Sequence, residues 1–142
     1  MSPESIQRTL ILVKPDGVQR GLVGEVIHRF EMKGYRIRGL KMLRLPREKA
    51  ERHYAVHTGK PFYESLVEFI TSGPLVAMVL EGPGAIAIAR KVMGATRPVD
   101  AEIGTIRGDF ANQTQQNIVH GSDSPESAAY EIPIFFEESD LV

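Results

Sequence analysis

Two short apolar runs in this chain, four and six residues long, are each followed by turn-forming residues. Residues 10–13 (Leu-Ile-Leu-Val) lead into Lys14-Pro15-Asp16-Gly17, and residues 75–80 lead into a Gly-Pro pair. Runs of this length cannot cross a bilayer, and their composition is typical of buried strands that end in turns. They predict a soluble protein, without membrane partners, built around several short strands.

Between these strands, apolar residues recur at helical spacing. Val23, Ile27 and Phe30 follow this spacing, and Gly34 lies where a glycine commonly ends a helix. The pattern predicts strands at residues 9–13, 35–45, 75–80 and 116–119, and helices at residues 23–30, 47–57, 61–72, 85–93 and from 124 onward. The second strand changes phase near Gly39, which predicts a bulge. The order indicates an α/β or α+β fold and leaves the strand directions open.

Composition excludes several classes of protein. The 142 residues suit one globular domain spanning residues 1–142. Seventeen basic against eighteen acidic residues give a net charge of −1, so nucleic acid is not an expected partner and an anionic ligand must meet a local cluster of cations. The absence of cysteine excludes a thiolate nucleophile and a disulfide framework. With no secretory signal at the start, we expect a cytoplasmic protein.

Residues 82–87 match the glycine pattern of a dinucleotide-binding turn, G-x-G-x-x-A, between a predicted strand and a predicted helix. Asp100 and Glu102 lie at a suitable distance downstream, but no second strand carries them, and Pro83 stands between the glycines. The pattern therefore favours a plain glycine turn over a dinucleotide-dependent oxidoreductase.

Two histidines, His53 and His57, lie four residues apart on a predicted helix and could share one face as metal ligands. The metalloprotease pattern needs a glutamate after the first histidine, where this chain has Tyr54, and no third ligand is evident. We interpret both as ordinary surface or half-buried histidines.

His120 follows the apolar pair Ile118 and Val119 and precedes a polar turn into a helix that Ser124 is predicted to cap. A strand end holds a side chain rigidly while the loop keeps it accessible, and the start of a helix favours anions. A largely neutral imidazole in that place suits nucleophilic attack on phosphorus or general base catalysis. A capping or turn histidine remains an alternative from this segment alone.

Three cations stand in separate predicted elements: Lys14 after the first strand, Arg90 on a helix, and Arg107 in a long irregular segment, residues 94–116. Each one alone is typical of a solvated surface charge. Their distribution beside glycine-containing loops favours contacts with phosphate.

Residues 117–123 (Asn-Ile-Val-His-Gly-Ser-Asp) resemble the characteristic segment of the nucleoside diphosphate kinases. Residues 12–18 (Leu-Val-Lys-Pro-Asp-Gly-Val) and residues 104–110 (Gly-Thr-Ile-Arg-Gly-Asp-Phe) match the family as well, in the same order. The resemblance covers nearly the whole chain. It implies a ferredoxin-like α+β sandwich, with a four-stranded antiparallel sheet covered by helices, assembled as a homo-oligomer in which a hexamer is favoured over a tetramer.

The resemblance also implies Mg²⁺-dependent transfer of the γ-phosphoryl group from a nucleoside triphosphate, typically ATP, to a nucleoside diphosphate. The group would pass through a phosphohistidine on His120, which Glu131 and Ser122 orient. Tyr54 matches a tyrosine near the phosphates. The implied nucleotide contacts are Lys14, Phe62, Arg90, Thr96, Arg107 and Asn117, with no metal ligand supplied by the chain.

Two features test the resemblance. Phe62 matches the aromatic side chain that stacks on the base, although its place beside Leu66 and Ile70 on an apolar helical face is typical of a core residue. Thr114 stands at the opposite, usually apolar, position of the base clamp. A catalytically silent nucleotide- or nucleic-acid-binding module on the same fold is the alternative function, and the complete set of matching site residues argues against it.

Overall fold

A four-stranded antiparallel sheet with the order β2-β3-β1-β4 forms the centre of the molecule. The computed structural model describes residues 2–142. The strands are β1 (Ile6–Val13), β2 (Arg36–Leu43), β3 (Leu75–Pro83) and β4 (Val119–Gly121). The helices are α1 (Pro15–Gln19), α2 (Val23–Met32), α3 (Arg47–His53), α4 (Tyr63–Ile70), α5 (Ala85–Met93), α6 (Ile106–Phe110) and α7 (Pro125–Phe135). Three short 3₁₀ turns, Ala55–His57, Pro98–Asp100 and Glu138–Asp140, complete the described elements.

Helices cover both faces of the sheet, which explains the unbroken apolar run in β1. Ile11 and Val13 pack with Phe30 of α2 and with α5 on one face, whereas Leu10 and Leu12 pack with α3, α4 and α7 on the other. Successive side chains of a strand point to opposite faces, so a strand buried on both faces needs apolar residues at every position. The expected antiparallel, helix-covered architecture is confirmed.

The second strand carries the predicted bulge. The pairing of β2 with β3 shifts register between Ile37 and Gly39. A β-carbon at Gly39 would lie 2.9 Å from the ring of Phe136 and 2.8 Å from the side chain of Leu141. Glycine is therefore needed here because the C-terminal segment packs directly against the backbone of the strand.

Several predicted boundaries differ from the structure because local hydrogen bonds end or delay helices. The helix expected at residues 47–57 ends at His53, and a separate 3₁₀ turn, Ala55–His57, follows it. The next helix begins at Tyr63 and not at Pro61, because the amide of Tyr63 bonds to the carbonyl of Lys60 in a turn. Helices α1 and α6 form in segments for which the sequence predicted only turn and irregular chain.

The last strand was predicted at residues 116–119 but spans Val119–Gly121. Ile118 has a positive φ of 77°, and the amide of Val119 bonds to the carbonyl of Asn117 at 2.9 Å. This tight three-residue turn cannot continue a strand. His120 therefore lies in the middle of a short strand, paired with Leu12 of β1, and not at the strand's exit.

The glycine pattern at residues 82–87 does not form a dinucleotide-binding turn. Both neighbours of β3 run antiparallel to it, so the parallel strand–helix–strand unit is missing. The amide of Gly84, at the start of α5, bonds to the carbonyl of Ser5 at 2.9 Å. A β-carbon there would lie 2.6 Å from the carbonyl oxygen of Pro3. The N-terminal segment thus covers this helix start and excludes a ligand from it.

Within residues 2–142, no helix has both the length and the apolar character needed to cross a bilayer.

Candidate active site

A cavity of about 1210 Å³ opens beside β4, between α3, the start of α4, the segment that follows α5, and α7. Nine of the ten side chains implied by the resemblance line this cavity. They are Lys14, Tyr54, Phe62, Arg90, Thr96, Arg107, Asn117, His120 and Glu131. The tenth, Ser122, is fully buried behind Glu131 and bonds to it. Residues separated by more than a hundred positions in the chain therefore converge on one space.

The imidazole of His120 is oriented from behind by a carboxylate. Its Nε2 lies 3.0 Å from Oε1 of Glu131, and the hydroxyl of Ser122 donates to the same oxygen at 2.8 Å. Burial alone would raise the pKa of Glu131, but the hydrogen bond with His120, electrostatic attraction to His120 and His53, and the hydrogen bond from Ser122 together outweigh burial, and the net pKa is lowered. Because a carboxylate only accepts, the neutral ring carries its proton on Nε2 and keeps the lone pair on Nδ1.

The backbone before His120 is held in its strained turn by the segment after β1. A carboxylate oxygen of Asp16 accepts the amide of Ile118 at 3.0 Å, and the amide of Lys14 donates to the carbonyl of Ile118 at 2.7 Å. After His120, the side chains of Ser124 and Ser127 cap α7 reciprocally. The backbone that carries His120 is therefore held on both sides by hydrogen bonds that do not depend on a ligand.

The three cations that face the cavity have no carboxylate partner among residues 2–142. Arg107 donates to the carbonyls of Gly94 and Val119 at 2.9 and 2.7 Å. Lys14 donates to the carbonyl of Gln115 and to the side chain of Asn117. Arg90 donates to the carbonyl of Gly121 at 3.2 Å. Neutral oxygens orient these groups without cancelling their charge, so the cavity attracts anions.

Two of these cations are buried, which strengthens their attraction for an anion in the cavity. Lys14 is 7% exposed and Arg107 is 6% exposed. Burial, together with repulsion from Arg107, lowers the pKa of Lys14 to about 8, although Asp16 opposes the shift. Burial and the nearby Arg90 lower the pKa of Arg107 to about 10. A bound polyphosphate would relieve the cost of burying both charges.

Phe62 lies at the open end of the cavity and not in the core. It occupies the residue before α4, so it leaves the apolar face of that helix, and it is 44% exposed. The ring of His57 approaches its edge at a centroid distance of 5.2 Å, and Nζ of Lys60 lies 5.9 Å from its centroid. Thr114 lines the same cavity. An exposed aromatic face at the mouth of a cationic cavity can stack on a flat base.

The two histidines considered as a metal pair do not share a helix face, because α3 ends at the first of them. Instead the ring of His53 packs on the ring of His120, with the two centroids 4.7 Å apart and the planes at 78°. Burial, together with repulsion from His120, His57 and Lys14, lowers the pKa of His53 to about 3, although Glu131 opposes the shift. The sequence interpretation missed this neighbour, and no local pattern around position 53 signals it. The hydroxyl of Tyr54 is buried beside it, and its pKa is raised by burial and by Glu131.

The sheet, the carboxylate-oriented histidine and the uncompensated cations together define an α+β enzyme of the phosphoryl-transfer class. The comparisons agree, because the family model described as "Nucleoside diphosphate kinase" matches residues 7–141. The chain belongs to the nucleoside diphosphate kinase family, and it transfers phosphoryl groups between nucleotides.

Relatives and solved structures give the extent of the similarity. The chain is 64% identical to the nucleoside diphosphate kinase of Thermomicrobium roseum, covering 96% of this chain and 92% of that one. It is 58% identical to the enzyme of Thermus thermophilus, covering 96% of this chain and all of that one. The Halobacterium salinarum enzyme, solved in complex with CDP, superposes with a TM-score of 0.94 at 48% identity, covering 97% of this chain and 92% of that one.

Proposed function

We propose that this enzyme moves the γ-phosphoryl group of a nucleoside triphosphate, typically ATP, to a nucleoside diphosphate through a phosphohistidine on His120. The observation that supports this best is the contact of Nε2 with Glu131, which leaves Nδ1 free to act as the nucleophile in a cavity that three unpaired cations also line. A histidine oriented by a carboxylate on its other nitrogen is the arrangement that nucleophilic catalysis needs.

The reaction proceeds in two half-reactions, phosphorylation of His120 by the triphosphate and then transfer of the group to the diphosphate. The Nδ1 lone pair attacks the γ-phosphorus, the bond between that phosphorus and the β,γ-bridging oxygen breaks, and its electron pair leaves with the diphosphate. The ring then carries positive charge, which the carboxylate of Glu131 stabilises while Ser122 holds it in place. In the second step a terminal oxygen of the acceptor diphosphate attacks the phosphorus, and the N–P electron pair returns to Nδ1.

The remaining site residues position the substrate. Lys14, Arg90 and Arg107 stabilise charge on the phosphates, with Thr96 and the hydroxyl of Tyr54 on the same walls. Asn117 and Lys14 are proposed to reach the sugar hydroxyls, and Phe62 to stack on the base. A stacking face available to every base gives affinity without choosing among bases, so broad nucleotide specificity is expected.

The cavity fits a Mg²⁺ ion that enters with the nucleotide. Mg²⁺ prefers oxygen ligands and keeps much of its water, and the exposed carboxylates of Asp123 and Glu126 line the cavity where they would hold that water. When bound, the ion would neutralise charge on the phosphate oxygens. Those oxygens would supply its main ligands, and this agrees with the few acidic groups on the cavity walls.

A homo-oligomer, with a hexamer favoured over a tetramer, is part of the same proposal. Leu40 and Met42 are exposed on β2, which is an edge strand of the sheet, and Val99 and Ile103 are exposed in the segment after α5. Large apolar side chains on an open strand edge are typical of surfaces that a second subunit covers.

The test is to incubate the protein with γ-labelled ATP and Mg²⁺ in the absence of an acceptor. We expect about one acid-labile, base-stable label per chain, located on His120 by peptide mapping, which transfers to any added nucleoside diphosphate. Folded protein that takes up no label would refute the phosphohistidine. Label that forms but does not leave on addition of diphosphate would identify a dead-end modification and not an intermediate.

The lowered pKa of Lys14 predicts a pH-dependent affinity for nucleotide. Because the ammonium form binds phosphate and the pKa is about 8, the binding form is almost fully populated at pH 7 and about one-tenth populated at pH 9. We expect KM for a nucleoside diphosphate to rise about tenfold between pH 7 and pH 9. Steady-state kinetics over this range is the measurement.

Lys14→Arg is the matched control for this pH profile, because a guanidinium stays charged throughout the range. Its KM, whatever its absolute value, should not vary from pH 7 to pH 9. A flat profile in the unsubstituted enzyme, or an equal rise in Lys14→Arg, would show that another group controls the affinity.

A further inference from the structure

One cluster beside the nucleophile has the composition of a transition-metal site. A ring nitrogen of His53, a ring nitrogen of His120 and a carboxylate oxygen of Glu131 all lie within 4.8 Å of one another. Two imidazoles and a carboxylate are also the three protein ligands of one class of zinc site, which leaves a fourth position open. All three side chains line the cavity, but the ring nitrogens of His53 are buried, so this ring must turn toward the cavity to meet an ion from solvent.

A second observation concerns the hydrogen bonding of His53. Its side chain is 5% exposed, and neither ring nitrogen has a hydrogen-bond partner among residues 2–142. Its ring is surrounded by Tyr54, His120 and Phe135 at centroid distances of 4.7, 4.7 and 5.5 Å. A buried polar group without a partner is costly. Packing therefore places a neutral imidazole with an unused lone pair beside the nucleophile.

We propose that His53, His120 and Glu131 form an inhibitory binding site for a borderline-soft divalent cation, with Zn²⁺ as the best-fitting ion. The inference rests on the proposed function of His120 for its effect on activity, but not for the binding itself. Imidazole nitrogen selects zinc and its neighbours over Mg²⁺, which prefers oxygen. The site is therefore distinct from the Mg²⁺ that enters with the nucleotide.

The distances require only a small rearrangement. With metal–ligand bonds of about 2.0–2.1 Å, neighbouring donors around a tetrahedral ion lie about 3.3 Å apart. His120 Nε2 and Glu131 Oε1 are already 3.0 Å apart. The most distant donors of the cluster, at no more than 4.8 Å, must approach by about 1.5 Å or less. The proposal requires side-chain rotations to supply this approach, and water or a phosphate oxygen from the cavity completes the fourth position.

Charged side chains around the cluster both repel and attract a divalent cation. Lys14, Arg90 and Arg107 face the same cavity and oppose a dication, whereas Asp123 and Glu126, with Glu131 itself, attract it. The carboxylates therefore offset only part of the repulsion between the three cations and a divalent ion, and the three direct ligands must supply the remaining affinity.

Binding of such an ion removes the nucleophilic lone pair. If the metal replaces Glu131 as the partner of Nε2, the Nε2 proton of the neutral ring must move to Nδ1, because a neutral imidazole keeps one proton. If the metal binds Nδ1, it occupies the attacking nitrogen directly. In either case His120 cannot attack phosphorus, and phosphorylation of the enzyme stops until the metal is removed.

The test uses Co²⁺ and Zn²⁺ alone as probes on the chelator-treated enzyme, with Mg²⁺ in excess. We expect Co²⁺ to bind at one equivalent with the absorption of a tetrahedral site, Zn²⁺ to displace it, and Zn²⁺ to block labelling by γ-labelled ATP until a chelator restores it. Losing a residue that only orients a metal ligand typically costs 10- to 100-fold in metal affinity, so losing a direct ligand in His53→Phe should cost at least about 100-fold. His57→Ala, which removes a nearby histidine outside the cluster, should bind as the original chain does.

A measurement on the unsubstituted protein covers the case in which His53→Phe does not fold. The chain has four histidines, and substoichiometric Co²⁺ should broaden the ring resonances of His53 and His120 while sparing His28. Unchanged affinity in folded His53→Phe, or broadening that begins at His28 or His57, would overturn the site. Specific Co²⁺ binding without any labelling by ATP would instead refute the proposed function and leave the metal site standing.

Discussion

Replacing His120 by glutamine is expected to lower nucleotide phosphotransfer by at least about 10⁴-fold, the scale seen when an enzyme loses its nucleophile. An amide nitrogen has no basic lone pair, so it cannot form the phosphorylated intermediate. The cations and Phe62 remain in place, so nucleotide binding should persist while turnover is lost. The measurement combines steady-state kinetics with equilibrium binding of a nucleoside diphosphate.

His28→Gln is the matched control, because His28 lies exposed on α2 and outside the cavity. It should retain the activity of the original chain within about twofold, as surface changes away from a site usually do. Turnover by His120→Gln that stays within tenfold of the original, in protein free of other kinases, would contradict the phosphohistidine mechanism and favour direct transfer between bound nucleotides.

Replacing Arg107 by methionine is expected to lower kcat/KM by about 10³-fold, mainly through kcat. Arg107 is a buried cation that neutral carbonyls orient toward the cavity, and charge-stabilising arginines in phosphoryl transfer contribute about 10³- to 10⁵-fold. Methionine keeps much of the side chain's length but leaves the carbonyls of Gly94 and Val119 without this donor. The unfolding free energy should therefore fall as well, by about 1–3 kcal/mol.

Two further variants separate the catalytic loss from the structural one. Arg97→Met removes an exposed arginine that pairs with Asp100 in the same segment, and it should change neither kinetics nor stability appreciably. Arg107→Lys keeps a charge but not the forked pair of hydrogen bonds, so it should recover part of kcat. A folded Arg107→Met enzyme with kcat/KM within tenfold of the original would show that this cation does not stabilise the transition state.

Most of the fold was predictable from local patterns, and its boundaries were not. Four strands and the main helices follow from apolar periodicity, and the bulge at Gly39 follows from a change of phase. The wrong boundaries lie where a single backbone hydrogen bond decides the local conformation. The tight turn at Ile118 displaced β4, and the turn at residues 60–63 delayed α4. Bonds of this kind depend on neighbours that periodicity does not describe.

The candidate site was likewise predictable only in part from local sequence patterns. Position along the chain marked His120 and the three cations as candidates, whereas the resemblance supplied Glu131, Ser122 and the base-stacking role of Phe62. Periodicity placed Phe62 in the core, but the residue lies just before its helix and is exposed. His53 was missed because the spacing to His57 suggested a shared helix face, and the helix ends before that face forms.

The sequence by itself determined which residues carry charge, which runs are buried, and to which family the motifs are similar, because these properties depend on residue type and short spacing. Only the tertiary structure decided that Nε2 of His120 faces Glu131, that no carboxylate within the described chain pairs with the three cations, and that His53 lies against His120. These contacts join residues from separate elements across the sheet, and their geometry is set by packing. No local stretch of the chain contains that information.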